Sequence, residues 1–408
     1  MVYDWVIVGG GVAGISLAEV LTRRGCKILL IEKNSLLAGE TTKEFHEWMH
    51  TGALYTLLPD GNQTMKYLIG AIDDMFLYYS QFNNMNLIPT NKGLGFEKNI
   101  NSWFKDDYIS FRYRLRKYNP LWSLISSRSI MNIEKIKNHD WLHRQGGNVF
   151  SSHSNYLSLA GSYHKYLTAK SDFFEYESSD FVINSRVMLA DLLNAALTRG
   201  AEVVTNEEVI SISKESGNNV VFTKNEKYMA KKVVFCNSAG ISKFSDVKVK
   251  QSYAPMAVVS GDFSKTSNFV NLDYYVKKSI NLIKKTDEIA LIGGITLSKK
   301  SSCDDYIKYV INEHKKLNSS VSLIKKYVGI KNEFKFKESN RNYLYNISQI
   351  SDSVWSLIPG KYSLLFSFAP EFYKQVYKKN PPISNDLPKS TTLNQSLISP
   401  TTWQEAKL

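Results

Sequence analysis

Cysteine is scarce in this chain. The three cysteines, Cys26, Cys236 and Cys303, are too few for a disulfide framework, and they lack the spacing of a zinc-binding cysteine motif. Cys26 and Cys236 lie in or beside apolar stretches that are typical of strands. We therefore expect free thiols and a reducing, cytoplasmic location.

Long apolar runs are also absent. No run reaches the roughly 18 to 20 residues that a membrane-spanning helix needs. The first residues, which include Asp4, are typical of a strand and not of a signal peptide. P-loop, nucleophile-elbow and nucleic-acid recognition motifs are missing as well. His139 and His143 are four residues apart but show no third ligand at a metal-binding spacing, so we predict no metal site.

Acidic residues are outnumbered by basic ones. The formal net charge is +13, and many lysines occur in scattered pairs such as Lys284–Lys285 and Lys299–Lys300. This scatter favours an ordinary solvated surface. Two alternatives stay open: attraction of an anionic substrate, and peripheral contact with acidic lipid at the inner face of a membrane. We expect no nucleic-acid partner.

A glycine-rich turn near the N-terminus is the most informative pattern that is present. Residues 3–8 form an apolar strand pattern that runs into Gly9, Gly11 and Gly14 at G-x-G-x-x-G spacing, and a helical pattern follows at once. In such a turn the first glycine permits the bend and the second lets the backbone approach a pyrophosphate. The third lets the helix pack closely on the strand, with its positive end at the phosphates.

A carboxylate follows this turn at the expected distance. The second predicted strand, residues 27–31, ends at Glu32, which is 18 residues beyond Gly14. A carboxylate there is placed to accept hydrogen bonds from ribose hydroxyls. Strand, glycines, helix, strand and acid together predict a site for an adenine dinucleotide.

Two kinds of pattern alternate along the rest of the chain, and 408 residues suffice for two domains. We predict an α/β fold in which a Rossmann-like nucleotide domain is interrupted by a mostly antiparallel β substrate domain. The nucleotide domain is assigned to residues 1–72, 181–250 and 341–378, and the substrate domain to 73–180 and 251–340. Residues 379–408, rich in Pro, Ser, Thr and Asn, are expected to be a peripheral or disordered tail.

Individual elements are predicted within these blocks. Helical spacing from about residue 185 ends at Gly200, and a strand hairpin covers 209–222. Another helix is predicted near 304–316. Residues 112, 114 and 116 are arginines that alternate with aromatic and apolar residues, as on a strand. This puts three cations on one face, where a solvated surface is favoured over a site for a bulky anion.

Several further segments carry a family pattern. They are 39–43 (Gly-Glu-Thr-Thr-Lys), 50–55 (His-Thr-Gly-Ala-Leu-Tyr), 233–240, 341–347 (Arg-Asn-Tyr-Leu-Tyr-Asn-Ile) and 359–363 (Pro-Gly-Lys-Tyr-Ser). With the glycine turn, they resemble the flavin oxidoreductases of the D-amino-acid-oxidase superfamily. Within it the chain is most similar to FAD-dependent glycerol-3-phosphate dehydrogenases. The matches cover about half of the chain.

The resemblance implies FAD as the cofactor, with a Rossmann-like domain of the glutathione-reductase type. NAD(P) is the rival ligand, but the 233–240 segment far down the chain favours FAD. The residues expected at the cofactor are Gly9, Gly11, Val12, Ala13, Gly14, Glu32, Lys33, Thr41, Thr42, Val209, Ser238, Ala239, Gly240, Gly360 and Lys361.

The resemblance also implies catalytic residues. It puts His50 and Tyr55 on the flavin side of the substrate pocket, and Arg341 and Lys361 around the substrate. Histidine suits the base that takes a hydroxyl or amine proton, although His50 is equally consistent with a structural histidine at a helix end. Tyr55 is as consistent with a half-buried core residue. A covalent flavin bond through His46 or His50 is a further alternative.

Arg341 is the strongest candidate for binding an anion. A planar guanidinium can bind a carboxylate or phosphate through two hydrogen bonds. We therefore favour this role for Arg341 over that of an ordinary surface arginine. The chain departs from the family pattern at Leu54 and Lys331, where the family has arginines, and at Pro359, where it has a glycine. These changes weaken the case for glycerol 3-phosphate itself.

The sequence therefore predicts an FAD-dependent dehydrogenase or oxidase. It would move a hydride from a C–OH carbon, or a C–NH2 carbon, of a small or medium-sized anionic substrate to the flavin. The alternatives are an amino-acid or amine oxidase of the same superfamily and an FAD-binding subunit without activity. An electron acceptor is required, and neither its identity nor the oligomeric state follows from the sequence.

Overall fold

The computed structural model describes residues 1–50, 63–90, 93–96, 102–104, 111–116, 165–170, 173–178, 180–272, 279–335, 344–383 and 392–407. In this part of the chain the strands are β1 (Val2–Val8), β2 (Ile28–Ile31), β3 (Trp48–Met49), β4 (Leu87–Thr90), β5 (Gly93–Phe96), β6 (Phe111–Arg116), β7 (Lys165–Lys170), β8 (Phe173–Ser178), β9 (Phe181–Val182), β10 (Glu202–Val204), β11 (Val209–Glu215), β12 (Asn218–Thr223), β13 (Lys227–Phe235), β14 (Val249–Ser260), β15 (Asn268–Leu272), β16 (Ile280–Lys284), β17 (Ile289–Gly294), β18 (Ser322–Phe334), β19 (Asn346–Ser351) and β20 (Val354–Ile358). The α-helices are α1 (Val12–Thr22), α2 (Gln63–Tyr79), α3 (Ser185–Thr198), α4 (Cys303–Leu317), α5 (Leu365–Tyr377) and α6 (Thr402–Glu405).

The first sheet has a parallel centre with antiparallel additions. Strands β10, β2, β1, β13 and β20 pair in parallel, while β11 and β12 extend the sheet as a hairpin beside β13 and β19 pairs with β20. The predicted nucleotide-binding α/β fold is thus confirmed. Strand β13 has three partners. It pairs with β1 along most of its length, with β12 along its first half and with β20 along its second half.

Alternation along β1 explains how this sheet is covered. Trp5 and Ile7 point into a core that includes residues of α1, α3 and α5. Val6 and Val8 point to the opposite face, where they pack with apolar residues of β12 and β13. Both faces of this strand are therefore buried, as a near-continuous apolar run in a parallel sheet requires.

The turn between β1 and α1 depends on two of its glycines. Gly9 has φ +105°, a left-handed conformation that favours glycine. A Cβ atom on Gly14 would overlap the carbonyl oxygen of Gly9. The third glycine of the motif therefore allows the contact that the sequence predicts, between the first turn of the helix and the end of the strand.

The second sheet is mostly antiparallel, as predicted. Its order is β18-β14-β17-β16-β15-β6-β8-β7, and only the β15–β6 pair is parallel. On β14, Ala257 and Val259 face α4, whose Ile307 and Val310 are buried there. The predicted helix near 304–316 is thus confirmed. In β6, Phe111 and Tyr113 are buried and Arg112 is exposed, which agrees with the alternation expected for this strand.

The other face of the second sheet meets elements that flank the first sheet. Met256 and Val258 of β14 share a core with Trp48 of β3, Leu68 of α2 and Leu364. Residues 41–50 lie at this junction, because they contain β3 and the residues just before it. Segments that line the junction can therefore touch both sheets.

The described residues of the C-terminal segment are ordered, not disordered. Residues 392–397 form a short 3-10 helix and α6 follows, with Ile398, Thr401 and Thr402 buried. Leu37 and Ile398 form a parallel bridge. The expectation of disorder is wrong for residues 392–407, because a few buried residues and backbone hydrogen bonds hold this segment. The peripheral position of the tail stays a prediction.

We predict that Gly14→Ala severely destabilises the protein and abolishes cofactor binding. The added methyl overlaps the Gly9 carbonyl, so strand and helix must separate, at a cost of about 2 kcal/mol or more. Thermal unfolding followed by circular dichroism and a visible flavin spectrum check this. Gly200→Ala is the matched control: Gly200 has φ +90° and open space around it, so it should cost only about 1 kcal/mol and retain the spectrum. Equal losses in the two variants would contradict the role of Gly14.

Candidate active site

A cavity of about 450 Å³ opens beside the glycine turn. It runs along the ends of β1, β2 and β13, where a nucleotide lies in open α/β sheets. Ten of the predicted cofactor residues line it: Gly9, Gly11, Glu32, Lys33, Thr41, Thr42, Val209, Ser238, Ala239 and Gly240. Patterns far apart in the sequence therefore meet around one cavity.

A second cavity of about 130 Å³ continues from the first toward the second sheet. The predicted residues Val12, Ala13, His50, Gly360 and Lys361 line it. Residues common to both cavities include Gly11, Thr41, Thr42, Cys236, Ser238 and Asn332. The two spaces therefore form one elongated site, and the start of α1 lies at their junction. Gly14 lines neither cavity, since it packs behind the turn.

The start of α1 is prepared for an anion. Gly11 is extended at the N-cap position and supplies no side-chain cap. The Val12 N–H donates to Thr42 Oγ1 over 3.2 Å. A Cβ on Gly11 would meet only that hydroxyl, at 3.4 Å, so this backbone faces the cavity. N–H groups at the positive end of a helix favour a phosphate group there.

Glu32 stands at the end of β2, as predicted, but protein groups already engage it. Its Oε2 accepts from the Gly10 N–H over 2.7 Å, and its Oε1 accepts from the N–H and the side-chain amide of Asn34 over 2.9 and 2.8 Å. Each carboxylate oxygen has more than one lone pair. Glu32 therefore fixes the glycine turn and still presents acceptor capacity to the first cavity.

Two residues with positive φ line the second cavity. Gly360 has φ +65°, which glycine adopts readily, and Ser238, where the two cavities meet, has φ +52°. Residues 362–364 form a 3-10 helix that leads into α5, so Gly360 and Lys361 sit just before helical backbone, as predicted. The left-handed conformation of Ser238 costs energy, and such conformations are common at ligand sites.

His50 lies in the second cavity and directly follows β3, not a helix end. Its Nδ1 is 3.5 Å from Oδ2 of the buried Asp180, which is long for a hydrogen bond, so the contact is mainly electrostatic. Asp180 also accepts hydrogen bonds from Trp48 Nε1, over 3.0 Å, and from the Tyr113 hydroxyl. The Trp48 ring lies against the imidazole, with the centroids 3.9 Å apart and the planes tilted by 39°. These contacts fix the ring.

The electrostatic surroundings keep His50 neutral. Burial lowers its pKa to about 4; the positive charges of Lys361 and Lys331 act in the same direction, and Asp180 opposes them. His46, which also lines the second cavity, has its pKa lowered to about 3 by burial and by Lys331 and Lys285. Both imidazoles are therefore proton acceptors near neutral pH.

A buried carboxylate, Glu47, also lines the second cavity. Glu47 Oε2 is 2.5 Å from Lys285 Nζ, and both side chains are almost fully buried. Burial by itself would raise the pKa of Glu47, but Lys285 and hydrogen bonds from Ser185 outweigh it and hold the pKa below its usual value. Glu47 is therefore a charged residue whose charge is compensated inside the protein.

Asp180, Glu47 and Lys285 were not predicted from the sequence to be part of this site. Asp180 is 130 residues from His50 along the chain, and Lys285 is 238 residues from Glu47. No local motif marks them. The signal in the sequence is a carboxylate, Asp180, just before the short apolar stretch at residues 181–183. Tyr55, Leu54 and Arg341 lie outside the described residues, so their predicted roles stay predictions.

The fold and the elongated site are those of a dinucleotide-binding protein. A family model described as "FAD dependent oxidoreductase" (DAO) matches residues 4–276. The chain belongs to this family, and FAD is its cofactor. The resemblance stated above is thereby confirmed at the superfamily level.

Solved structures with the same fold cover nearly the whole chain. Glycerophosphate oxidase from Mycoplasma pneumoniae with FAD bound has a TM-score of 0.65 at 17% identity and covers 95% of this chain and 97% of its own. Glycine oxidase from Geobacillus kaustophilus has a TM-score of 0.65 at 12% identity, covering 95% and 98%. L-Amino acid deaminase from Proteus vulgaris has a TM-score of 0.64 at 13% identity, covering 94% and 92%. These identities show a shared fold.

One curated relative matches a shorter stretch. The Bacillus subtilis protein named "Putative Rieske 2Fe-2S iron-sulfur protein YhfW" is 34% identical over 105 residues. The match takes in 26% of this chain and 19% of that protein. The chain thus spans about a fifth of the length of this relative.

The residues present fit FAD. The start of α1 at the junction would hold the pyrophosphate, and Glu32 and the first cavity would hold the adenosine part. Asn237 Oδ1 is buried at the first cavity and has no hydrogen-bond partner among the described residues, so it is an acceptor that a ligand can satisfy. The second cavity, between Gly360, Ser238 and His50, would hold the flavin ring.

Two features are absent from the part of the chain that the structure describes. None of the helices there is long and apolar enough to span a membrane. The same residues contain no group of three or more potential metal ligands from His, Cys, Asp and Glu.

We predict that stability falls as the pH drops from 6.5 to 5. His46 and His50, together with His314, whose pKa is lowered by burial to about 4, stay neutral when folded and take up protons when unfolded near pH 6.5. The unfolded chain then binds more protons, so the free energy of unfolding falls, on the order of 1 kcal/mol per histidine per pH unit. Urea unfolding of the holoprotein at pH 7.5, 6.5 and 5.5 measures it.

His314→Gln is the matched variant for this effect, because it removes one titrating group that lines neither cavity. Its unfolding free energy should depend less on pH in the same window. A wild-type protein whose unfolding midpoint is constant between pH 7.5 and 5.5 would contradict the buried, neutral state of the histidines.

Proposed function

We propose that this protein oxidises a C–OH carbon of a small or medium-sized anionic substrate, with a C–NH2 carbon as the second candidate. The observation that carries the proposal is the combination of cations and a neutral histidine at the second cavity. When bound there, FAD supplies the hydride acceptor. The chain's own residues must bind the anion, orient it and accept a proton.

Lys331 and Lys361 support the binding of an anion. Both line the second cavity, and both lower the pKa of His50 through their positive charge. Lys331 also lies over the Phe45 ring, 5.1 Å from its centroid. Two acidic residues also line this cavity: Glu47, which is compensated by Lys285, and the buried Glu333. We propose that Lys331 and Lys361 bind a carboxylate or phosphate group of the substrate. Arg341 is a further candidate for this role from the sequence.

His50 supports the role of the base. Because Nδ1 faces Asp180, we propose Nε2 as the atom that takes the hydroxyl or amine proton when the C–H bond breaks. The charge of Asp180 would stabilise the imidazolium that forms. An anionic substrate near Lys361 would offset the effect of that lysine on His50, so binding would raise the basicity of the histidine where it is needed.

An amino-acid or amine oxidase is the second candidate. The cations that would bind an anionic alcohol would also bind the carboxylate of an amino acid, and amino-acid oxidases occur among the proteins with this fold. The same neutral histidine would accept the amine proton. A protein that holds FAD without catalysis is the remaining alternative, consistent with the altered residues Leu54 and Pro359.

Anaerobic titration tests the proposal directly. We expect the flavin absorbance of the purified holoprotein to bleach with one or more anionic substrates from panels of hydroxy acids, sugar phosphates and amino acids. Bleaching by amino acids alone would favour the second candidate. A holoprotein that dithionite bleaches but no compound of the panels does would support the inactive FAD-binding subunit.

Two substitutions should shift the pH profile of kcat/KM in opposite directions. The active His50 is unprotonated, so the rate falls below its pKa. Lys361→Gln removes a charge that lowers this pKa, so the acid limb should move to higher pH and KM should rise for an anionic substrate. Asp180→Asn removes the charge that raises it, so the limb should move to lower pH, with kcat reduced by up to about 100-fold. Stopped-flow reduction of the flavin measures both.

The substrate that bleaches the flavin serves for these profiles, and wild-type protein at the same pH values is the reference. Shifts of the acid limb in the same direction for both variants would contradict the assignment of His50 as the base.

A further inference from the structure

The C-terminal segment is attached to the stretch that lines the cofactor site. The Leu37 N–H donates to the Leu397 carbonyl, and the Ser399 N–H donates to the Leu37 carbonyl, each over 2.9 Å. Lys43 Nζ lies 2.6 Å from Glu405 Oε1. The segment 392–407 is therefore bound at both ends of residues 37–43, which include Thr41 and Thr42.

A further contact joins Trp403 of this segment to Glu47. Its indole Nε1 donates to Glu47 Oε2 over 3.0 Å. Lys285 donates to the same oxygen, and its ammonium lies 5.7 Å from the centroid of the Trp403 ring. The ring also lines a cavity of about 80 Å³ below Glu47. Trp403 thus contacts both members of the buried ion pair.

Glu47 joins three distant parts of the chain. Its Oε1 accepts from the backbone N–H of Ser185, at the start of α3, over 2.9 Å, and also from the Ser185 hydroxyl. Its Oε2 accepts from Lys285, which follows β16 of the second sheet, and from Trp403 of the C-terminal segment. Glu47 has φ +57°, an unfavourable conformation for a residue with a side chain. These contacts must hold it there.

The residues on both sides of Glu47 line the second cavity. Phe45, His46 and Trp48 are among them, and Lys285 also donates to the His46 carbonyl over 3.0 Å. A shift of Glu47 would therefore move the ring nitrogens and aromatic faces presented to the flavin. The backbone at Glu47 cannot relax without changing the cofactor site.

We propose that Trp403 is a positioning residue of the FAD site. It donates to Glu47 and so fixes the strained backbone that places His46 and Trp48, while the surrounding segment 392–407 holds residues 37–43 in place. The inference rests on FAD as the cofactor and not on the proposed substrate. A failed search for substrates would therefore leave it standing.

Trp403→Phe tests it, because phenylalanine keeps an aromatic ring but removes the donor to Glu47. We expect the dissociation constant for FAD, measured by quenching of flavin fluorescence on the apoprotein, to rise about tenfold, since a hydrogen bond to a charged group is lost. Trp5→Phe is the matched control. Trp5 is buried, and its indole donates to the Tyr377 hydroxyl over 2.9 Å, away from both cavities.

Both variants should unfold at lower temperature than the wild type, but only Trp403→Phe should lose affinity for FAD. An unchanged dissociation constant in Trp403→Phe, or an equal rise in Trp5→Phe, would overturn the proposal.

A measurement on the wild-type protein keeps the proposal testable if Trp403→Phe does not fold. Coupling between two sites is reciprocal, so FAD should slow amide hydrogen exchange in residues 392–407, as read by mass spectrometry of peptides. Exchange in β7 and β8, at the far edge of the second sheet, should change little. Exchange in 392–407 that is the same with and without FAD would overturn the positioning role.

Discussion

The contact between Gly14 and the Gly9 carbonyl is the constraint on which the site depends. Only a glycine permits that approach, and the approach sets the angle at which α1 leaves β1. The N–H groups in the first turn of the helix therefore point to the place where the two cavities meet. The first cavity, which begins at this point, is lined by Thr42, Glu32 and residues 238–240.

The second constraint is that the flavin end of the site is made from pieces that do not belong to one element. His50 follows a two-residue strand, Asp180 precedes its antiparallel partner, and Lys361 precedes the last long helix. Pairing of β3 with β9 brings the first two together. The chemistry of the site thus depends on a very small sheet and on the buried ion pair of Glu47 and Lys285.

The sequence predicted well what local patterns encode. Glycine spacing, the acid at the end of β2 and the amphipathic α4 all follow from short-range rules, and the structure agrees with them. Asp180 and Lys285 could not be predicted, since they act through partners more than 100 residues away. The prediction of a disordered C-terminal segment was wrong for a different reason. Its composition is that of a disordered segment, yet Ile398 and Trp403 find partners that composition cannot show.

The position of these partners along the chain has a consequence for the order of assembly. Strand β1 begins at Val2, but β20, which completes the parallel centre through β13, lies near residue 355, and Trp403, which donates to Glu47, follows it in the sequence. Contacts of such sequence separation form slowly. A chain made from its N-terminus therefore holds a nucleotide fold that is open at one edge and at its flavin end until β20 and Trp403 have been made. The site that holds the cofactor is complete only once residues more than 350 positions apart have met.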